Sequence, residues 1–267
     1  MKRGLAGITA VLYLFLYLPL VVVALASVNS ARFGTGWKGF TLDWYRAAFR
    51  NPQIIGALQN TLLLALASAA IATTLGTLLG YGLARHNFSG DKFVSRAMLF
   101  PIAVPDIVMA VSLLSFYAWL RSWTGFGNLG LGTMIVSHVT FQIPFVAMIV
   151  RARLRGLDPA IEQAAADLGA TRWQRIWHVT LPMLRPGIIS GALLAFTLSL
   201  DDFVVSFFTS GPGATTVPIY IYSAVKRGVT GEVHALSTIL ILAAVLGAIA
   251  VSLSTRRQTS NLYKGRV

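Results

Sequence analysis

The chain has 267 residues, 55 % hydrophobic and 12 % charged, with a net charge of +13 and a mean hydropathy of +0.69. A soluble domain carries roughly 25 % charged residues, so a water-covered globular enzyme is excluded and an all-α polytopic membrane protein is expected. The absence of cysteine removes disulfides, thiolate metal sites and cysteine nucleophiles.

A membrane span needs about 20 predominantly apolar residues. Six stretches qualify, at about 5–28, 58–84, 97–120, 131–150, 187–208 and 235–254. Each is too long for a barrel strand, so helices are expected. The first follows Lys2-Arg3 and ends near Ala24-Leu25-Ala26, which looks like a signal peptide. A secretory apolar core is about 7–15 residues; this one is longer and is expected to be retained. Span three is interrupted by Pro101 and Pro105, just before Asp106. A break of that kind, close to mid-span, exposes backbone to a transport path. Span four carries Pro144 and His138, the histidine being expected to bond a neighbouring helix.

The positive-inside rule orients the spans. With the N-terminus inside, 15 of the 22 Lys and Arg residues fall in inner segments and seven in outer ones. Both termini are therefore expected in the cytoplasm. The charge is mostly topogenic and forms no stripe for a phosphate backbone, so nucleic acid is not an expected partner.

The most polar inner segment, about 157–182, is punctuated for two short helices. Asp158-Pro159 reads as an N-cap followed by proline at the first helical position. Ile161, Ala164, Ala165 and Leu168 then make one apolar face, and Gly169 marks a stop. Thr171 and Gln174 have capping-box spacing. Trp173, Ile176 and Trp177 share the second helix's face, and Leu181-Pro182 is expected to end it. The pattern is that of a connector, a helix lying in the headgroup layer, or a docking element for a soluble partner.

The residues Glu162-Gln163-Ala164-Ala165, then Gly169, Ile176 and Leu181-Pro182, resemble the EAA loop of permease subunits of binding-protein-dependent ABC importers. The later run SLDDFVVSFFTSGPGATTVPIYIYSAVKRGVTGEVHALST is similar to the spermidine/putrescine branch. The similarity covers most of the chain and is strongest from about 156 to 238. It implies a bacterial inner-membrane subunit forming one transmembrane domain over 1–267. It also implies a homologous second permease, an ATPase dimer that docks on the loop and binds ATP and Mg, an external solute-binding protein, and a polyamine as cargo. One departure stands out. The family's glutamate, six residues before the glycine, falls on Gln163, with Glu162 beside it. Adjacent helical residues point about 100° apart, so Glu162 does not simply take its place.

Three of nine acidic residues, Asp106, Asp201 and Asp202, fall inside expected spans. An aspartate at a span centre costs about 2.5–3.5 kcal/mol on insertion scales, and no Lys or Arg shares these spans. They are assigned to the solute path. Asp201 and Asp202 diverge by about 100°, so one is expected to line the path and the other to cap or brace. Phe203, Phe207, Phe208, Tyr220 and Tyr222, with Phe116, Tyr117 and Trp119, are candidate cation–π faces. No H-x-x-x-H pair and no phosphate loop occurs; no metal, cofactor or catalytic residue is assigned to this chain. Rival readings are a permease for another cationic amine or an opine-like solute, and a secondary transporter using the intramembrane aspartates.

Overall fold

A computed structural model describes residues 2–264 apart from 34, 35 and 87, with side chains from Leu5 to Gly247 and at Ile249. The side chains of Lys2, Arg3, Arg256, Arg257, Lys264 and Arg266, used above for orientation, lie outside the described residues. The helices are α1 (Lys2–Ser27), α2 (Asp43–Arg50), α3 (Pro52–Arg85), α4 (Asp91–Ala97), α5 (Phe100–Ala103), α6 (Asp106–Thr124) and α7 (Leu131–Arg155). They continue with α8 (Pro159–Asp167), α9 (Arg172–Arg175), a π turn (Ile176–Thr180), α10 (Leu181–Leu200), α11 (Val204–Thr209), α12 (Val217–Arg227) and α13 (Gly231–Lys264). Among the described residues no strand forms, and five helices are long and apolar enough to cross a membrane. The described apolar part of α13, Gly231–Gly247, is shorter.

The chain divides into two compact units. The first comprises residues 1–55 and 221–267. In it α13 packs against α1 and α2. Nearly every side chain of α1 is exposed, Phe15 to 75 %, as expected of a helix solvated by lipid. The loop after α1 is organised by Asn29. Its amide donates to Gly36 O at 2.8 Å and its side-chain oxygen accepts from Lys38 N at 3.0 Å, while Trp44 Nε1 donates to Asn29 O at 2.8 Å. Asn51 Nδ2 donates to Glu232 Oε2 at 3.0 Å.

The second unit, residues 56–220, is built around α7. His138, Gln142, Val146, Val150 and Leu154 on this helix are fully buried. Lipid is as apolar as these side chains, so close packing must hold the helices together. The sequence supplies it through small residues. A Cβ on Gly76 would lie 2.7 Å from Val146 Cβ, and one on Gly80 would lie 2.6 Å from Ala147 O. The Gly76-x-x-x-Gly80 pair thus lets α3 press onto α7. From α10, Gly191 meets Val146 in the same way, at 3.1 Å from Cγ1.

Span three breaks at its prolines, as the sequence leads one to expect, and two other expectations need correction. Val104 is extended (ψ 132) because the ring of Pro105 disfavours the helical region for the residue before it. The chain therefore breaks between α5 and α6, and Asp106 opens α6. Span five does not run to 208. It ends at Leu200, and α11 begins a separate helix at Val204. Leu181-Pro182 ends nothing. Helix continues from Arg172 to Leu200 through the π turn, where Leu181 N–H reaches back to Ile176 O. The wider turn shifts the ladder, and Pro182, which lacks an N–H and would clash in a regular helix, sits in the first turn of α10.

Candidate functional site

The α5–α6 break and the α10–α11 break open on one cavity of about 380 Å³. Asp106, Asp201 and Asp202 all line it, and no Lys or Arg does. Pro101, Ile102, Phe141 and Phe145 form part of its apolar wall. Of the aromatic residues named from the sequence, only Phe203 is in this lining. Tyr117 is instead 4 % exposed, bonded to Ser137 Oγ at 2.9 Å and Thr133 O at 3.0 Å. Phe116, Trp119 and Trp123 follow one another along α6 with tilted rings, and Trp123 is 77 % exposed. Phe141 and Phe145 escaped sequence reasoning because they lie on α7, far in sequence from any acid.

The two neighbouring aspartates are held differently. Asp202 Oδ2 accepts from Ser206 N at 2.7 Å and Oδ1 from Val205 N at 3.3 Å. It therefore satisfies orphan N–H groups at the start of α11, as an N-terminal acid should. The same carboxylate faces His138 Nε2 at 3.3 Å. Asp201 follows the last turn of α10 and is exposed. Among the described residues, no other side chain bonds the carboxylates of Asp201 or Asp106.

His138 anchors a buried polar chain across α3, α7, α10 and α11. Its Nδ1 lies 2.8 Å from Ser199 Oγ and its Nε2 3.0 Å from Ser206 Oγ. Ser68 Oγ donates to Ser199 Oγ at 3.2 Å, and Gln142 Nε2 lies 3.3 Å from Ser68 Oγ and 3.1 Å from Ala195 O. One tautomer satisfies this order: Gln142 donates to Ser68, Ser68 to Ser199, Ser199 to His138 Nδ1, and His138 Nε2–H to Ser206 Oγ, with Asp202 Oδ2 3.3 Å from the same nitrogen. The expected helix–helix bond of His138 is present. Its link to Asp202 was not legible, because nothing local marks a pairing so distant in sequence.

The loop at 157–182 follows its punctuation. Asp158 Oδ1 accepts from Ala160 N at 2.9 Å. Gly169 takes φ +82 with open space around it, and Ala170 N donates back to Ala165 O at 3.0 Å. Thr171 and Gln174 form the reciprocal capping box, at 2.8 and 3.3 Å. Glu162 turns inward: its Oε1 accepts from Arg85 Nη2 and from Thr180 Oγ1, both at 3.0 Å. Gln163 and Ala164 are exposed and Ala165 half-buried. Ile161 is 44 % and Leu168 88 % exposed, so the apolar face of α8 is uncovered. Leu181 is half-buried and Pro182 exposed. Among the described residues, no group of three or more His, Asp or Glu side chains is placed to hold a metal ion.

Membrane-length helices, two of which begin or end beside the carboxylates of one cavity, together with an exposed amphipathic loop helix, define a membrane transport subunit. Residues 72–262 match the binding-protein-dependent transport system inner membrane component family, and the chain belongs to it. It is 41 % identical to the spermidine/putrescine transport system permease protein PotC of Escherichia coli (strain K12), over 95 % of this chain and 94 % of that protein. It is 39 % identical to the putrescine transport system permease protein PotI of the same organism, over 94 % and 90 %. Among solved structures, it resembles a chain of a bacterial ABC transporter involved in the import of the acidic polysaccharide alginate. The TM-score is 0.77 at 23 % identity, over 96 % of this chain and 95 % of that one. A chain of the MetNI methionine ABC transporter gives 0.61 at 21 % identity, over 78 % and 98 %. These two likenesses speak to fold. The chain is thus an inner-membrane permease of an ABC importer.

Proposed function

We propose that this permease carries a polyamine, a flexible aliphatic chain with two or more ammonium groups, through the cavity lined by Asp106, Asp201 and Asp202. The convergence of three carboxylates on one apolar-walled cavity with no lining cation carries the reading. A cavity of that charge favours cationic cargo. Phe141, Phe145 and Phe203 offer apolar and cation–π surface for the methylene chain and its ends. The relatives named for spermidine and putrescine transport, at 41 % and 39 % identity, support the same cargo class. Asp201 and Asp106 meet the ammonium groups, and Asp202 holds the break open from behind.

The remaining assignments follow from this reading. Residues 1–267 form one transmembrane domain with both termini cytoplasmic, in keeping with the distribution of Lys and Arg. The chain pairs with a homologous permease. An external solute-binding protein delivers the cargo, and an ATPase dimer binding ATP and Mg supplies the energy. The ATPase docks on α8, where Gln163, Ala164, Ile161 and Leu168 are presented, while Glu162 ties the loop to α3 and the π turn. Gly169, Ala165 and the Leu181-Pro182 turn set the angle of that docking segment.

The test is uptake of labelled putrescine or spermidine by cells carrying the complete transporter. Asp201→Asn removes one charge-assisted contact worth roughly 1.5–3 kcal/mol, so KM should rise about 10- to 100-fold with the membrane level of the protein unchanged. An unaltered KM would refute the role of Asp201. Uptake that survives loss of the ATPase but collapses with an ionophore would refute the energy source.

A further inference from the structure

Beside the α3 terminus lies a second cavity, of about 510 Å³, lined by Arg85, His86, Glu162, Arg172, Arg175 and Thr180 among others. Its charge is unbalanced. It holds three guanidinium groups and one carboxylate, and that carboxylate is already engaged by Arg85 and Thr180, each at 3.0 Å. Among the described residues, Arg172 and Arg175 have no acidic partner. The Nε atoms of Arg85 and Arg175 are buried without an acceptor. A buried unpaired donor costs free energy until an acceptor arrives, and guanidinium forks match phosphate oxygens in particular.

The surroundings are those of a membrane boundary. Leu78, on the turn of α3 before the cavity residue Tyr81, is 64 % exposed, and Trp173 and Trp177, flanking Arg175, are 71 % and 59 % exposed. Tryptophan is enriched at headgroup depth, and basic pockets at the cytoplasmic ends of helices take anionic headgroups.

We infer that this cavity binds a phosphate group, supplied by an anionic phospholipid of the cytoplasmic leaflet, so that a lipid headgroup sits against the Arg85–Glu162 tie between α3 and the α8 loop. The inference rests on the cytoplasmic placement of that loop proposed above, but its test does not depend on the cargo.

The complete transporter, purified from phosphatidylglycerol-containing membranes, is examined by native mass spectrometry for retained lipid. The wild type should keep phosphatidylglycerol, and an R172Q/R175Q double variant should keep at least about tenfold less, as expected for losing charge-assisted contacts. R172K/R175K, with the charge but not the fork, should fall between them. A parallel arm titrates delipidated protein with inorganic phosphate and follows the melting temperature. Stabilisation of the wild type but not the double variant, without lipid retention, would keep the phosphate site and assign it a soluble source. Equal lipid retention and equal phosphate response in both proteins would overturn it. So would a double variant whose uptake falls by the same factor with and without phosphatidylglycerol and whose lipid and phosphate binding match the wild type, since the arginines would then contact a partner subunit. Absence of polyamine uptake in every vesicle would count against the cargo assignment and leave the lipid result standing.

Discussion

The Asp201-Asp202 break and the Glu162-Gln163 step of α8 solve the same problem with two adjacent polar residues. At each, one member turns into the chain and is bonded there. Asp202 caps α11 and meets His138, and Glu162 meets Arg85 and Thr180. The other member, Asp201 or Gln163, is exposed. The regions differ in depth of support. Asp202 leans on a fully buried histidine, whereas the Arg85 and Glu162 side chains remain 18 % and 22 % exposed. The lesson is a division of labour. The inward residue fixes the backbone, and the outward residue is left for a ligand or partner.

That division makes four graded predictions. Asp202→Ala should be the most damaging. It leaves two backbone N–H groups at the start of α11 without their acceptor and removes the carboxylate beside His138, and each buried group left unsatisfied costs about 1–3 kcal/mol. The protein level in membranes should fall sharply, which quantitative immunoblotting would detect. Glu162→Ala comes next. It leaves Arg85 without its carboxylate, and at this partial exposure the loss should be smaller, about 1–3 kcal/mol. It should lower the melting temperature and weaken the response of uptake to ATP. Gly169→Asp should act mainly on coupling. The space is open, but φ +82 costs an L-residue about 1–2 kcal/mol. ATPase activity that stays fully stimulated by cargo in this variant would contradict the docking role. Gln163→Ala should be mildest for stability, within about 0.5 kcal/mol. Its effect should be confined to ATPase affinity in a pull-down, and a large drop in melting temperature would show that Gln163 is not the outward member.

The loop was the more legible region, because its determinants are local. An aspartate before a proline, a glycine that can take positive φ and a T-x-x-Q box act over one turn of chain. The cavity was only half legible. Three acids in apolar runs stood out because hydrocarbon penalises them, whereas the helix ends beside them did not. Asp202 reads as a residue inside a continuous apolar helix until the cap it gives Ser206 and Val205 is seen. The aromatic wall came from α7, while the sequence-adjacent Tyr117 was already committed to Ser137 and Thr133.

Composition and hydropathy by themselves determined a helical membrane protein, the approximate place of its spans and the chemistry of its loop, since burial in lipid and turn geometry depend on nearby residues. Tertiary structure alone decided that α10 stops at Leu200, that Asp202 is braced while Asp201 is presented, and that Arg172 and Arg175 converge on Arg85. Those outcomes depend on which distant helices can approach closely, and that is set by the Gly76, Gly80 and Gly191 contacts with α7 and by the buried chain from Gln142 to His138.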